Sequence, residues 1–161
     1  MSETIVIRPA TKEDASVIHD MVVALARDTG KMALVTSSVE DIARDGFGAA
    51  PAFEALIAEK NGAPVGLALF FPEYSTWRGR RGVYLQDLFV DGSVRGEGVG
   101  AKLIAALAAR GARDGAAYMR LAVDDKNDSA AKFYDRLGFV EHKEDRMLFL
   151  DHGAFADMAK R

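Results

Sequence analysis

Arg95-Gly96-Glu97-Gly98-Val99-Gly100 is the stretch that decides the fold of this chain. It follows an apolar run typical of a strand, residues 84–90, and opens an apolar segment of helical period, residues 99–113. Its three glycines allow a tight turn and a close approach of the backbone to a ligand. The N–H groups at the start of the helix then favour a phosphate or pyrophosphate, and Arg95 can add a cationic contact.

Three interpretations of this turn compete. A turn without a ligand needs fewer glycines. A dinucleotide fingerprint is matched by Gly96, Gly98 and Ala101, with an acidic residue about 20 positions later. That motif normally opens an alternating β/α domain, however, and too little chain follows it here. The third interpretation is R-x-x-G-x-G/A, formed by Arg95, Gly98 and Gly100, which holds the pyrophosphate of an acyl-coenzyme A.

Composition restricts the class of protein. A chain of 161 residues with 49% hydrophobic residues predicts one domain, residues 1–161, with a substantial core. The net charge of -3 gives no electrostatic reason to bind nucleic acid. The chain has no cysteine, which excludes disulfides and thiolate nucleophiles, and its three scattered histidines predict no metal site. It has no apolar run of membrane-span length and no signal peptide, so we expect a cytoplasmic protein that does not contact membranes.

The pattern along the chain predicts a mixed α/β (α+β) fold. Strands and helices alternate in an order that suits a sheet with antiparallel strands and helices on both faces. The predicted strands are residues 4–8, 53–59, 65–71, 84–90 and 118–123, with closing strands at 139–141 and 146–150. The predicted helices follow caps at Thr11, Ser37 and Asp128 and include residues 99–113 and 155–160. Asn61-Gly62 predicts a hairpin turn, and residues 72–82 a polar loop.

The ordered motifs resemble the GNAT acetyltransferases, for which R-x-x-G-x-G/A after a strand is the acetyl-CoA signature. A narrower resemblance, to the diamine (spermidine/spermine) and thialysine N-acetyltransferases, extends from Ile7 to Gly138. It rests on Tyr84-Leu85-Gln86-Asp87-Leu88-Phe89-Val90, Asp45-Gly46-Phe47-Gly48, Tyr74-x-x-Trp77-x-Gly79, and Asn127 followed by Phe133-Tyr134 and Leu137-Gly138. The resemblance implies a GNAT-like, mostly antiparallel sheet, acetyl-CoA as co-substrate without a metal, and a homodimer.

The resemblance also implies roles for individual residues. The backbone of Leu88, Phe89 and Val90 would pair with the pantetheine arm. Tyr134 would protonate the departing thiolate of coenzyme A, and a phenol is protonated at neutral pH; alternatively, Tyr134 belongs to the core. Asn127 would contact the cofactor arm or serve only as a turn residue beside the helix cap. The N–H groups that would hold the pyrophosphate are those of Gly96, Glu97, Gly98, Val99, Gly100 and Ala101.

Fewer residues are predicted to contact the amine acceptor. Asp87 lies in an otherwise apolar strand, where an unpaired carboxylate is costly. It either binds neighbouring backbone or faces the acceptor cleft, where it would attract a cationic amine and relay its proton. Gln86 stands in place of the family's glutamate and cannot act as a base. Gln86, Asp87 and Trp77 are therefore the candidates for binding the substrate.

Departures from the subgroup affect the expected acceptor. Lys126 replaces a tryptophan, and Asp28-Thr29 replaces Tyr-Glu. Together with the basic loop Arg78-Gly79-Arg80-Arg81, these departures favour a smaller amine, or one that bears a carboxylate or phosphate, over a polyamine, unless the loop is a solvated turn. The leading hypothesis is direct acetyl transfer from acetyl-CoA to the primary amine of a small molecule. The alternatives are a non-catalytic acyl-CoA-binding domain, acetylation of a protein or tRNA amine, and a nucleotide oxidoreductase.

Overall fold

The computed structural model describes residues 4–161, in which five strands form one sheet in the order β1-β2-β3-β4-β5. Neighbouring strands are antiparallel from β1 to β4, and β5 joins β4 in parallel. The strands are β1 (Ile5–Pro9), β2 (Glu54–Lys60), β3 (Ala63–Ser75), β4 (Arg80–Val90) and β5 (Ala116–Arg120). The helices are α1 (Ala15–Asp28), α2 (Val39–Phe47), α3 (Val99–Arg113), α4 (Asp128–Arg136) and α5 (His152–Met158). The predicted mixed, mostly antiparallel sheet is confirmed.

The chain forms two compact units. The sheet and the first three helices belong to a unit that ends at Ala122, and α4 and α5 belong to a second unit, Val123–Arg161. In the described part of the chain, no helix is long and apolar enough to cross a bilayer.

Helices cover both faces of the sheet in the first unit. On one face, Leu67 and Phe89 pack with Ile18 and Met21 of α1 in a buried core. On the other face, a Cβ built on Gly66 would lie 3.1 Å from Leu103 Cδ1 and 3.2 Å from Val99 Cγ1. Glycine at this position lets α3 pack directly against the strand.

Two local predictions agree closely with the structure. The helix predicted over residues 99–113 is α3, with the same bounds. The turn at Asn61 (φ 54°) and Gly62 (φ 80°) joins β2 to β3 with positive φ at both positions, as a type I′ hairpin requires.

The prediction that residues 72–82 form a loop is wrong. Strand β3 continues through Pro72 to Ser75, and β4 begins at Arg80, so both strands extend into this segment. Pairing between β2 and β3 ends at Glu54 and Phe70, which leaves the far part of β3 with one free edge. Proline is tolerated there because its missing N–H is not needed on a free edge.

The C-terminal predictions need correction. The closing strands predicted at 139–141 and 146–150 do not form within the described chain, and α5 begins at His152 instead of residue 155. Apolar residues alone do not make a strand, because a strand also needs a partner for its hydrogen bonds. Two predicted caps are displaced by one residue, since Ser38 caps α2 and Asn127 caps α4.

Candidate functional site

The glycine-rich turn joins the end of β4 to the start of α3. Gly96 and Gly98 have φ values of +85° and +78°, in the left-handed region that favours glycine. A Cβ on either residue would meet no protein atom within 4 Å, and both residues are exposed. The two glycines are therefore required by backbone conformation, and the space beside them is open to a ligand.

The first turn of α3 presents unpaired backbone donors. The Lys102 N–H donates to the Gly98 carbonyl at 3.0 Å, so the N–H groups of Val99, Gly100 and Ala101 precede the first helical hydrogen bond. The positive end of the helix dipole lies at the same place. This arrangement suits an anion such as a pyrophosphate.

Two ion pairs hold the ends of this turn. Arg95 Nη2 lies 2.5 Å from Asp28 Oδ2, and its Nε donates to the Val90 carbonyl at 3.2 Å. Lys60 Nζ lies 2.9 Å from a carboxylate oxygen of Glu97. Pairs at the protein surface contribute about 0–1 kcal/mol each, so the main effect of these two is to orient the turn.

The strand before the turn has one unpaired edge. The pairing of β4 with β5 ends at Tyr84 and Arg120, and within residues 4–161 the rest of β4 pairs only with β3. The backbone of Leu88, Phe89 and Val90 therefore has an open side, although the Val90 carbonyl already accepts the hydrogen bond from Arg95 Nε. Amide groups of a ligand can add to such an edge as a strand would.

A β-bulge interrupts β4 at Gln86. Leu85 pairs with Phe70 and Asp87 pairs with the adjacent Leu69, so Gln86 is an extra residue without a cross-strand partner. Its side chain is exposed. The extra residue also places Asp87 and Tyr84, three positions apart, on the same face, because their partners Leu69 and Phe71 are two positions apart on β3.

Asp87 is a half-buried carboxyl group with no polar partner among residues 4–161. Burial raises its pKa above the usual range of aspartate. Within residues 4–161 it makes no hydrogen bond to backbone and no ion pair, so its alternative role as a backbone cap has no supporting contact. A titratable group whose pKa is shifted by burial is a candidate functional residue.

A polar and aromatic cluster lies on the sheet face that also carries Asp87. The rings of Phe71 and Tyr84 stack with centroids 5.0 Å apart, and the Arg120 guanidinium lies 5.3 Å from the Tyr84 centroid. Arg120 Nε donates to both carboxylate oxygens of Glu73 at 2.8 Å. Burial and a hydrogen bond to Glu73 raise the pKa of Tyr118. Sequence reasoning missed Glu73, Tyr118 and Arg120, although residues 118 and 120 share the two-residue period of a strand.

The second unit contains two of the predicted residues. Tyr134 is half-buried, and its ring contacts Phe133 and Phe139 edge-on with centroids 5.1 Å and 5.4 Å apart. Burial raises the pKa of Tyr134 to about 12, so its hydroxyl stays protonated at neutral pH. The Asn127 side chain accepts a hydrogen bond from the Ala130 N–H at 3.1 Å, which makes it the cap of α4.

Trp77 lies apart from the glycine-rich turn. It precedes the start of β4, whereas the turn follows the end of that strand, and its side chain is 100% exposed. An eleven-residue strand separates the two positions by roughly 30 Å.

The chain matches the model of the acetyltransferase (GNAT) family over residues 15–139. The chain belongs to the GNAT acetyltransferase family. The thialysine N-epsilon-acetyltransferase of Bos taurus is 36% identical to this acetyltransferase over 142 residues, which cover 83% of each chain. Amine N-acetylation is the reaction that its relatives support.

Solved structures share the fold of this acetyltransferase. An integron cassette protein from the mobile metagenome of V. cholerae superposes with a TM-score of 0.83 at 20% identity, covering 99% of this chain and 100% of that one. The aminoglycoside N-acetyltransferase AAC(6')-Iy, solved in complex with CoA, gives a TM-score of 0.71 at 24% identity and covers 94% and 97%. Acetyltransferases of the GNAT fold use acetyl-CoA.

Proposed function

We propose that the whole chain acts as one acetyltransferase domain that moves the acetyl group of acetyl-CoA directly to a primary amine of a small molecule. The observation that carries the proposal is a backbone path with two unpaired stretches, the open edge of β4 and the first turn of α3. The path ends in the exposed, left-handed glycines Gly96 and Gly98.

The chemistry of acetyl-CoA fits this path. Its pantetheine arm carries amide groups, which match the open backbone of Leu88, Phe89 and Val90. Its pyrophosphate matches the N–H groups that precede the first hydrogen bond of α3. When bound, acetyl-CoA supplies an activated thioester to which an amine can add, with release of a thiolate. The CoA complex of the fold relative AAC(6')-Iy supports the same ligand.

The residues of this chain have two tasks in the proposed reaction. Asp87, as a carboxylate, attracts the ammonium form of the acceptor and accepts its proton through water, since Gln86 cannot act as a base. Tyr134 donates the proton of its Oη to the departing thiolate, and its raised pKa keeps that proton available. The chain needs no covalent nucleophile, which suits the absence of cysteine.

The test is release of free thiol from acetyl-CoA with a panel of primary amines. We expect turnover with at least one amine, and we expect Tyr134→Phe to lower kcat by about 10²-fold or more with little change in the KM for acetyl-CoA. Tyr74→Phe, an exposed tyrosine in the first unit, is the matched control and should keep full activity.

Two outcomes would contradict the proposal. Tight binding of acetyl-CoA without turnover on any amine would favour the non-catalytic binding domain. An unchanged kcat in Tyr134→Phe would exclude Tyr134 as the acid while leaving the acetyl transfer itself in place.

We also infer a homodimer, as the resemblance to the diamine acetyltransferases implies. The measurement is the solution mass by sedimentation equilibrium, which should be twice that of one chain. A monomeric mass at assay concentrations would refute the homodimer.

A further inference from the structure

Neighbouring side chains hold the Arg120 guanidinium in place and leave part of it available for a ligand. Its Nε donates to both carboxylate oxygens of Glu73 at 2.8 Å, and its guanidinium lies over the Tyr84 ring. Tyr84 is in turn stacked on Phe71 at an interplanar angle of 17°. Three contacts in a row therefore hold the guanidinium in place.

The terminal nitrogens of Arg120 are available to a ligand. Neither Nη makes a hydrogen bond within residues 4–161, and the side chain is 65% exposed. The Glu73 side chain is only 15% exposed. A planar guanidinium with two free amino groups is suited to bidentate binding of a carboxylate.

Arg120 shares a sheet face with Asp87. Asp87 pairs with Leu69 and Tyr84 pairs with Phe71, two residues further along β3, so both lie on one face, separated by about 7 Å along the strand. Arg120 pairs with Tyr84 from β5, which adds about 5 Å across the sheet. The Cα atoms of Asp87 and Arg120 are therefore on the order of 8 Å apart.

This spacing suits a molecule with an amine at one end and a carboxylate at the other. An extended lysine side chain separates its amine from its carboxylate by a comparable length. A polyamine, in contrast, would place a second ammonium against the Arg120 guanidinium. The carboxylate of Glu73 offsets only part of that repulsion, because it is already paired with Arg120.

We propose that Arg120 determines acceptor specificity by binding the carboxylate of an amino acid whose side-chain amine is acetylated. Glu73, Tyr84 and Phe71 are positioning residues that hold its guanidinium. The proposal rests on the proposed function, since it assumes that the acceptor amine lies beside Asp87.

The test compares lysine with cadaverine, which differ only by the carboxylate. In the wild-type protein we expect kcat/KM to be at least about tenfold higher for lysine. Arg120→Gln should lower kcat/KM for lysine by about 10–100-fold, mainly through KM, and should leave cadaverine unchanged or improve it. Arg113→Gln removes the same charge from an exposed position on α3 and should change neither substrate.

A second variant separates binding from a structural effect. Arg120→Lys keeps the charge but loses the planar fork, so it should recover only part of the preference for lysine. Unfolding midpoints of both variants verify that they fold. An equal loss for lysine and cadaverine in Arg120→Gln would make Arg120 a structural residue and overturn the proposal, as would a wild-type preference for cadaverine.

Calorimetric titration of lysine and cadaverine distinguishes this proposal from the proposed function. Lysine binding that requires Arg120, without turnover of any amine, would support the anion site and refute acetyl transfer. Turnover without any preference for a carboxylate, in kinetics or binding, would refute the anion site and leave acetyl transfer intact.

Discussion

Asp87 combines a half-buried position on the open-edged part of β4 with a pKa that burial has raised. If its carboxylate attracts the acceptor ammonium, kcat/KM for the amine should fall as the pH drops through that raised pKa, because the protonated acid has no charge to offer. We expect Asp87→Asn to lose about 10²-fold or more in kcat/KM at neutral pH and to lack this acidic decline. Asp20→Asn, an exposed acid on α1, is the control. A wild-type pH profile retained in Asp87→Asn would exclude the role.

Burial of the Asp87 carboxylate should also lower the free energy of unfolding at neutral pH. The folded protein favours the protonated form of Asp87, so the stability linked to this group is complete below the ordinary value of 3.8 and is lost as pH rises through the raised pKa. Asp87→Asn should therefore raise the unfolding midpoint at pH 7, by about 2–4 °C for each kcal/mol relieved, and should not raise it at pH 3. Calorimetric scans at both pH values measure this, and a lower midpoint at pH 7 would contradict it.

At the scale of elements, two matched substitutions distinguish a ligand-binding role of the glycine-rich turn from a purely conformational one. Gly98 and Gly115 have φ values of +78° and +84°, at opposite ends of α3, and neither would place a Cβ closer than 3.8 Å to the protein. Both alanine variants should lose about 1–2 kcal/mol of stability. Only Gly98→Ala should also weaken CoA binding, measured by calorimetry, because its Cβ enters the space assigned to the pyrophosphate. Equal CoA affinity in both variants would argue against that assignment.

The junction of β1 with α1 depends on one buried carboxylate. Asp14 is 8% exposed, and its carboxylate accepts hydrogen bonds from both terminal nitrogens of Arg8, at 2.8 Å and 2.9 Å. Hydrogen bonding to Arg8, opposed by burial, lowers the pKa of Asp14 to about 2. The stability it provides is therefore complete above 3.8 and is lost as the pH falls towards 2.

Asp14→Asn should cost about 1–3 kcal/mol at pH 7, less than a fully buried pair because Arg8 is partly exposed, and the difference should shrink below pH 3. Urea unfolding at several pH values measures this. Asp157→Asn, which loses an exposed pair with Lys160, should change stability by less than about 0.5 kcal/mol. A pH-independent loss in Asp14→Asn would show that its charge is not the cause.

At the scale of the whole molecule, ligand binding should be visible in stability. Acetyl-CoA at 100 times its Kd should stabilise the folded state by about 2.7 kcal/mol, equivalent to roughly 5–10 °C in the unfolding midpoint. NAD should give no shift, because the dinucleotide interpretation of the turn is not the one proposed. A shift with NAD but not with acetyl-CoA would reverse that choice.

The parts of the molecule that were predictable from sequence are those governed by local rules. The bounds of α3 and the Asn61-Gly62 turn follow from helical period and turn chemistry. The cluster around Arg120 joins β3, β4 and β5, so it depends on strand register, which no local pattern contains. The continuation of β3 through Pro72 was missed for the same reason, since it depends on where pairing with β2 ends.

The bulge at Gln86 has a consequence for how this enzyme can evolve. It divides β4 into a segment that carries Tyr84 and a segment that carries Asp87 and the open edge. Loss of the bulge with Gln86 kept in the strand would shift the register by one residue and turn Tyr84 to the opposite face. With the bulge retained, substitutions at Tyr84, Glu73 or Arg120 can change the accepted amine while the backbone that faces the donor stays as it is. A few substitutions can then change which amine is accepted, without loss of the acetyl-transfer reaction.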